Sequence, residues 1–121
     1  MEVVKMLYPF NNMYSIALDP AECSVFLWGK IYRLTQQEYL LFEKLLQSAL
    51  IARKQGMPVR AVSRGELLCS AWGSAAAYAT RTVDVHVQRL RAKMGNDLIT
   101  TVYRQGYCIN PAALSRLAPA V

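Results

Sequence analysis

Apolar and polar positions divide the 121-residue chain into three stretches. Up to position 34 the runs are short and rich in β-branched and aromatic residues: 3–8, 14–19, 24–28 and 30–34. Pro9, the Asn11-Asn12 pair, Asp19-Pro20 and Gly29 break them, so this part reads as four strands with small connections, an antiparallel sheet laid over the rest of the chain. At Thr35 the period changes. Thr35-Gln36-Gln37-Glu38 has the spacing of a capping box, and Tyr39, Phe42, Leu45, Leu46, Ala49 and Leu50 recur at helical intervals, with Glu43, Lys44 and Gln47 left polar. That helix is expected to reach about Arg53, with Gly56 and Pro58 ending it. A second capping box, Ser63 to Glu66, opens a short helix with Leu67, Leu68, Ala71 and Trp72 inward and Gly73 as its stop. Residues 73–79 form a small-residue loop. A third helix runs from Thr80 or Arg81 to Met94, where Gly95-Asn96 is expected to take a left-handed cap. Two β-like runs, 98–103 and 106–109, close the pattern as a hairpin around Arg104-Gln105. The predicted fold class is α+β: a four-stranded antiparallel sheet, three helices and a terminal hairpin, making one domain over 1–110. Residues 111–121 are a tail, read either as a short helix or as a frayed end, with disorder near Val121.

On a helical wheel the third helix separates into two faces. Val83, Val87, Leu90 and Met94 fall on one narrow stripe, while Arg81, Val85, Gln88, Arg89 and Ala92 lie opposite, flanked by Arg91 and Lys93. A solvated face usually alternates charges of opposite sign. Here four cations face one acid, Asp84, and small apolar groups stand among them. Such a mixture suits the major groove of a duplex, where Arg grips guanine and a methyl-sized group meets thymine.

Composition agrees with a polyanionic partner. The chain holds 14 Lys and Arg against 8 Asp and Glu, and residues 53–121 carry a net +7 while residues 1–52 carry −1. With 54% hydrophobic residues it is too apolar for disorder, and no run approaches the ~20 apolar residues of a membrane span. The N-terminus has the pattern of neither a signal peptide nor a lipid anchor, so the expectation is a soluble cytoplasmic protein. Three widely spaced cysteines (Cys23, Cys69, Cys108) argue against a disulfide framework and lack the close spacing with which one turn grips zinc; with His86 they make a poor metal set, and no cofactor is expected. Catalysis is not expected either. His86 is the one histidine, Asp84 lies about 200° around the helix from it, and there is no phosphate loop or carboxylate pair.

Ser63-Arg64-Gly65-Glu66-Leu67-Leu68, Ala71-Trp72-Gly73 and the run from Arg81 to Met94 resemble the effector domain of OmpR/PhoB-type regulators, and Thr101-Val102-Tyr103-Arg104-Gln105-Gly106-Tyr107 is similar to its closing wing. Leu34-Thr35-x-x-Glu38-Tyr39 matches the start of that family's first helix. The resemblance covers roughly residues 15–109 and implies a winged helix-turn-helix that regulates transcription by binding specific double-stranded DNA. The third helix would lie in the major groove and the wing near the minor groove. It makes Arg89 the main base reader, helped by Asp84 and Val85. Arg81, Thr82, His86, Gln88 and Arg91 hold phosphates or border the bases, and Trp72, Thr101 and Tyr107 touch the backbone. Arg91 and Lys93 are expected to support all sequences about equally. The resemblance also implies two copies on repeated half-sites, and an RNA polymerase contact through residues 73–80.

Three departures stand out. Tyr103 occupies the place of the family's minor-groove Arg, leaving Arg104, one residue later, as its replacement. About nine extra residues separate Glu38 from Ser63, as a longer helix or an added loop over 52–61. The loop after Gly73 is uncharged, which weakens the polymerase expectation. No phospho-accepting receiver precedes the module, which fits a fragment, a stand-alone regulator or part of a membrane-anchored one. The competing reading is a winged-helix protein-docking module with little DNA affinity, whose binding to DNA would be weak and insensitive to salt.

Overall fold

A computed structural model of the chain describes residues 6–7, 16–73 and 80–117. The turn read near Pro9, most of the loop after Gly73 and the chain end at Val121 lie outside the described residues. Strands β1 (Met6–Leu7), β2 (Ile16–Asp19), β3 (Ser24–Leu27) and β4 (Lys30–Arg33) form an antiparallel sheet in sequential order. Its register pairs Ile16 with Leu27 and Leu18 with Val25, and all four side chains are buried. The alternate positions, Phe26 and its partner Ile31, lie on the outer face and stay exposed, as a period of two requires. Trp28 and Gly29 join β3 to β4 with positive φ at both positions, the signature of a two-residue primed turn.

Both capping boxes form. Helix α1 (Gln36–Lys54) starts where the Thr35 hydroxyl accepts from the Glu38 N–H at 3.2 Å and the Thr35 N–H donates to Glu38 Oε1 at 2.9 Å. Helix α2 (Arg64–Trp72) repeats the device with Ser63 and Glu66, at 3.1 and 3.2 Å, and ends on Gly73 in the left-handed conformation. Helix α1 is the central post, packed against α2, helix α3 (Arg81–Met94) and strand β6 (Gly106–Ile109). Its inward residues Phe42, Leu45 and Leu46 are each at most 1% exposed, worth about 1.5–3 kcal/mol apiece in buried apolar surface. Beyond Leu50, α1 continues to Lys54 and is followed by a loop over 55–61, and Ile51 and Met57 are exposed.

Strand β5 (Ile99–Val102) pairs antiparallel with β6 to form the wing. The base of β6 is also bridged from its other side: the Val62 N–H donates to the Tyr107 carbonyl at 2.7 Å and the Tyr107 N–H to that of Val62 at 3.1 Å. One detail differs from the sequence reading, and one alternative it left open, the short helix after Asn110, is the one that forms. Gly95 does not take the left-handed cap: φ is 101° and ψ 160°, an extended exit that feeds the chain toward the wing, while its N–H still bonds to the Arg91 carbonyl. The segment after Asn110 is a short helix, α4 (Pro111–Leu117). The Asn110 side chain accepts from the Ala112 N–H at 3.0 Å, and Ala113 and Leu114 are buried in the core.

Candidate functional site

The two faces of α3 are as the wheel draws them. Val83, Val87 and Leu90 are fully buried and Met94 nearly so, which presses the helix onto the core along one stripe. Arg81, Val85, Gln88, Arg89 and Ala92 all face solvent, and Val85 is 41% exposed. The Arg81 and Arg89 guanidinium groups make no ion pair or hydrogen bond among the described residues, although the Arg81 charge is felt by Asp84. Thr82 and His86 are half-buried beside this face. His86 Nδ1 lies 2.9 Å from the Thr82 carbonyl. A carbonyl only accepts, so Nδ1 carries the hydrogen and the ring orientation is fixed. Trp72, also half-buried, meets the His86 ring edge-on with centroids 4.9 Å apart, tying the end of α2 to α3.

Asp84, Arg91, Lys93, Thr101 and Tyr107, all picked from the sequence, have partners inside the protein. Asp84 Oδ1 accepts from Arg64 Nε at 2.7 Å and from the Tyr107 hydroxyl at 2.6 Å. Burial pushes the Asp84 carboxyl up, but these two hydrogen bonds and the charges of Arg64 and Arg81 outweigh it and hold it below its ordinary value. Tyr107 is 4% exposed, which withdraws it from a surface that could touch a backbone; burial, then its bond to Asp84, raises its phenol. Arg91 Nη2 donates to the Ile99 carbonyl at 2.8 Å and to Thr101 Oγ1 at 3.0 Å, joining α3 to β5. Lys93 Nζ sits 2.6 Å from Glu38 Oε1, whose side chain is 2% exposed. Lys93 and Arg91 thus each close a contact within the fold.

At the wing tip Tyr103 is 78% exposed, and Arg104, at φ 62°, lies over its ring with the guanidinium carbon 5.1 Å from the centroid. The tip thus presents a stacked Tyr–Arg pair where a lone Arg was the familiar pattern. Sequence reasoning missed Arg64 as a member of this site. The signal was available: a single acid on a helix of four cations invites a partner, and Arg64 opens the helix packed beside it. Cys23 is half-buried, Cys69 exposed and Cys108 buried, all unpaired, and among the described residues no three His, Cys, Asp or Glu side chains gather as a metal site.

Comparison with known proteins adds to this geometry. Residues 29–109 match the family described as "Transcriptional regulatory protein, C terminal". The response regulator protein PmrA of Pseudomonas aeruginosa is 35% identical over 98 residues, covering 81% of this chain and 40% of that one. The phosphate regulon transcriptional regulatory protein PhoB of the same organism is 36% identical over 95 residues, covering 76% and 38%. The chain therefore spans about two-fifths of the length of these curated relatives. Among solved structures, the DNA-binding domain of the response regulator AdeR in complex with an intercistronic region is 26% identical with a TM-score of 0.63, over 79% of this chain and 94% of that one. The Klebsiella pneumoniae RstA DNA-binding domain in complex with the RstA box is 25% identical with a TM-score of 0.63, over 84% and 96%. Among the described residues no helix is long and apolar enough to cross a membrane.

Proposed function

The chain belongs to the family of C-terminal domains of transcriptional regulatory proteins, of the OmpR/PhoB type, and on that premise we propose that it reads specific sites in duplex DNA as a regulator of transcription. Helix α3 lies in the major groove and the β5–β6 wing stands beside the adjacent minor groove. One observation carries this reading: the outward face of α3 holds Arg89 and Arg81, neither of them in an ion pair or hydrogen bond among the described residues, set among Val85, Gln88 and Ala92. Arg89 is the base reader, Val85 and Ala92 offer apolar contact to thymine methyls, and Arg81, His86 and Gln88 border the phosphates. The protein supplies no catalysis and works in the cytoplasm. Two copies on repeated half-sites give this small interface its selectivity. A contact with RNA polymerase, if made through the loop after Gly73, is apolar in character, since residues 74–79 carry no charge.

Selection of bound sequences from random duplex DNA at moderate salt tests the reading, and an enriched, repeated motif is the expected result. On the selected duplex, log K should fall linearly with log salt, by about 0.9 per phosphate neutralised. A flat response with no enrichment would instead favour the protein-docking alternative. Arg89→Ala is expected to reduce discrimination between the selected and an unrelated duplex by about 1–3 kcal/mol. Its unfolding midpoint in urea should stay put, because the side chain supports nothing in the fold. Discrimination that survives this substitution removes Arg89 from the reader's role.

A further inference from the structure

We propose that Asp84, Tyr107, Arg64 and Arg91 form a positioning clamp that fixes the angle between α3 and the wing, and that none of the four reads a base. The clamp rests on the DNA reading and deepens it.

Positions 84 and 91 are seven residues apart, so they share one side of α3 and stand about 10 Å apart along its axis. Each is joined to a different strand of the wing. Asp84 holds β6 through the Tyr107 hydroxyl, and Arg91 holds β5 through the Ile99 carbonyl and the Thr101 hydroxyl. A single attachment would leave a pivot. Two attachments, on two strands and two turns of helix, set an angle. Arg64 extends the clamp to α2 by sharing Asp84 Oδ1, and its guanidinium carbon lies 5.2 Å from the centroid of the Tyr107 ring, with that of Arg91 at 5.7 Å. The phenol is thus held by its hydroxyl and attended by two cations.

Charge supports the same assignment. A carboxylate on a helix inside a groove faces phosphates that repel it, and it is tolerated where a cation neutralises it. Asp84 has that cation in Arg64, and the bonds from Arg64 and Tyr107 to its Oδ1 fix the direction in which the carboxylate points. The clamp holds wing and helix in register before DNA arrives, so that Arg89 and the wing tip engage neighbouring grooves together.

Tyr107→Phe and Asp84→Asn test this, on the selected duplex and on an unrelated one across a salt series, with hydrogen exchange of the wing amides measured in the free protein. Tyr107→Phe keeps the ring and its packing, which protects the fold. The expected result is a loss of about 3- to 10-fold in affinity for the selected duplex, the size of one lost hydrogen bond. The salt slope should not change, and the amides of β5 and β6 should exchange several-fold faster. Asp84→Asn should enrich the same motif as the parent, with weaker binding. A slope reduced by about one would make Tyr107 a phosphate contact, and a new preferred base with Asp84→Asn would make Asp84 a reader; either overturns the clamp. If the parent protein enriches no motif, the DNA reading fails, but the exchange measurement still decides the clamp: wing amides no faster in Tyr107→Phe overturn it.

Discussion

A Gly106→Ala variant is expected to lose about 3–5 kcal/mol of stability. The residue lies at φ 138°, and a Cβ there would collide with the Val62 carbonyl oxygen and stand 2.8 Å from its carbon and 3.0 Å from Ser63 Cα. All three are backbone atoms, so no flexible side chain can swing aside. Conformational strain contributes about 1–3 kcal/mol, and forcing the Val62 backbone away contributes a similar amount. Separation also stretches the two Val62–Tyr107 hydrogen bonds, worth about 1 kcal/mol each. Urea unfolding should show a lower midpoint at unchanged slope. Gly73→Ala is the control: it shares a positive φ but nothing among the described residues lies within 4 Å of the new atom, so strain alone, about 1 kcal/mol, is expected there. Equal losses for the two variants would contradict a steric origin. Because Tyr107 sits next to Gly106, the substitution should also loosen the wing's attachment to α3, and specific DNA binding should weaken along with stability.

Gly106 marks a general limit on what can be read from sequence. The capping boxes at Thr35 and Ser63 were legible because donor and acceptor lie three residues apart. The buried stripe of Val83, Val87, Leu90 and Met94 was legible because it obeys one period, and the outward face of α3 followed as its complement. The sheet order and the wing followed from short strands with short connections. What was not legible depends on contacts distant in sequence. Gly106 is required by Val62, 44 residues earlier, and Asp84 is claimed by Arg64 and Tyr107, 20 and 23 residues away. From the sequence, Asp84, Arg91 and Lys93 looked like further contacts on a basic helix. In the fold two of the four cations on α3 are committed internally, leaving Arg81 and Arg89. The Gly95 exit and the docking of Ala113 and Leu114 have the same origin: the path to the wing and the room on the core are tertiary facts.

Lys93→Met is the second large effect expected, and its pH dependence identifies the cause. The ammonium of Lys93 and the Glu38 carboxylate meet at 2.6 Å, joining the last turn of α3 to the first turn of α1. Burial by itself pushes the Glu38 carboxyl up. The hydrogen bond from Lys93, the Thr35 backbone N–H, the Lys93 charge and the Thr35 hydroxyl together outweigh it and bring it below its ordinary value. Methionine keeps the apolar stem but leaves that carboxylate with the Thr35 groups alone. Breaking a fully buried pair from one side costs about 3–5 kcal/mol; the Lys93 side chain is 40% exposed, so water softens the loss and about 2–3 kcal/mol is expected at pH 7. The sign of the pH dependence is set by linkage. In the parent, a depressed carboxyl contributes stability that is present above its unfolded value, about 4.3, and is lost as pH falls through the lower folded value. In the variant the two Lys93 contributions vanish while burial stays, so the folded carboxyl binds a proton at higher pH than in the parent. The stability gap between the two proteins should therefore be widest at neutral pH and narrow as the pH is lowered below 5. Urea unfolding at pH 7, 5 and 4 measures it. A gap that stays constant over this range would mean that Lys93 acts through packing, and Glu38→Gln in the Lys93→Met background should recover part of the loss at pH 7 only if the unpaired carboxylate is its source.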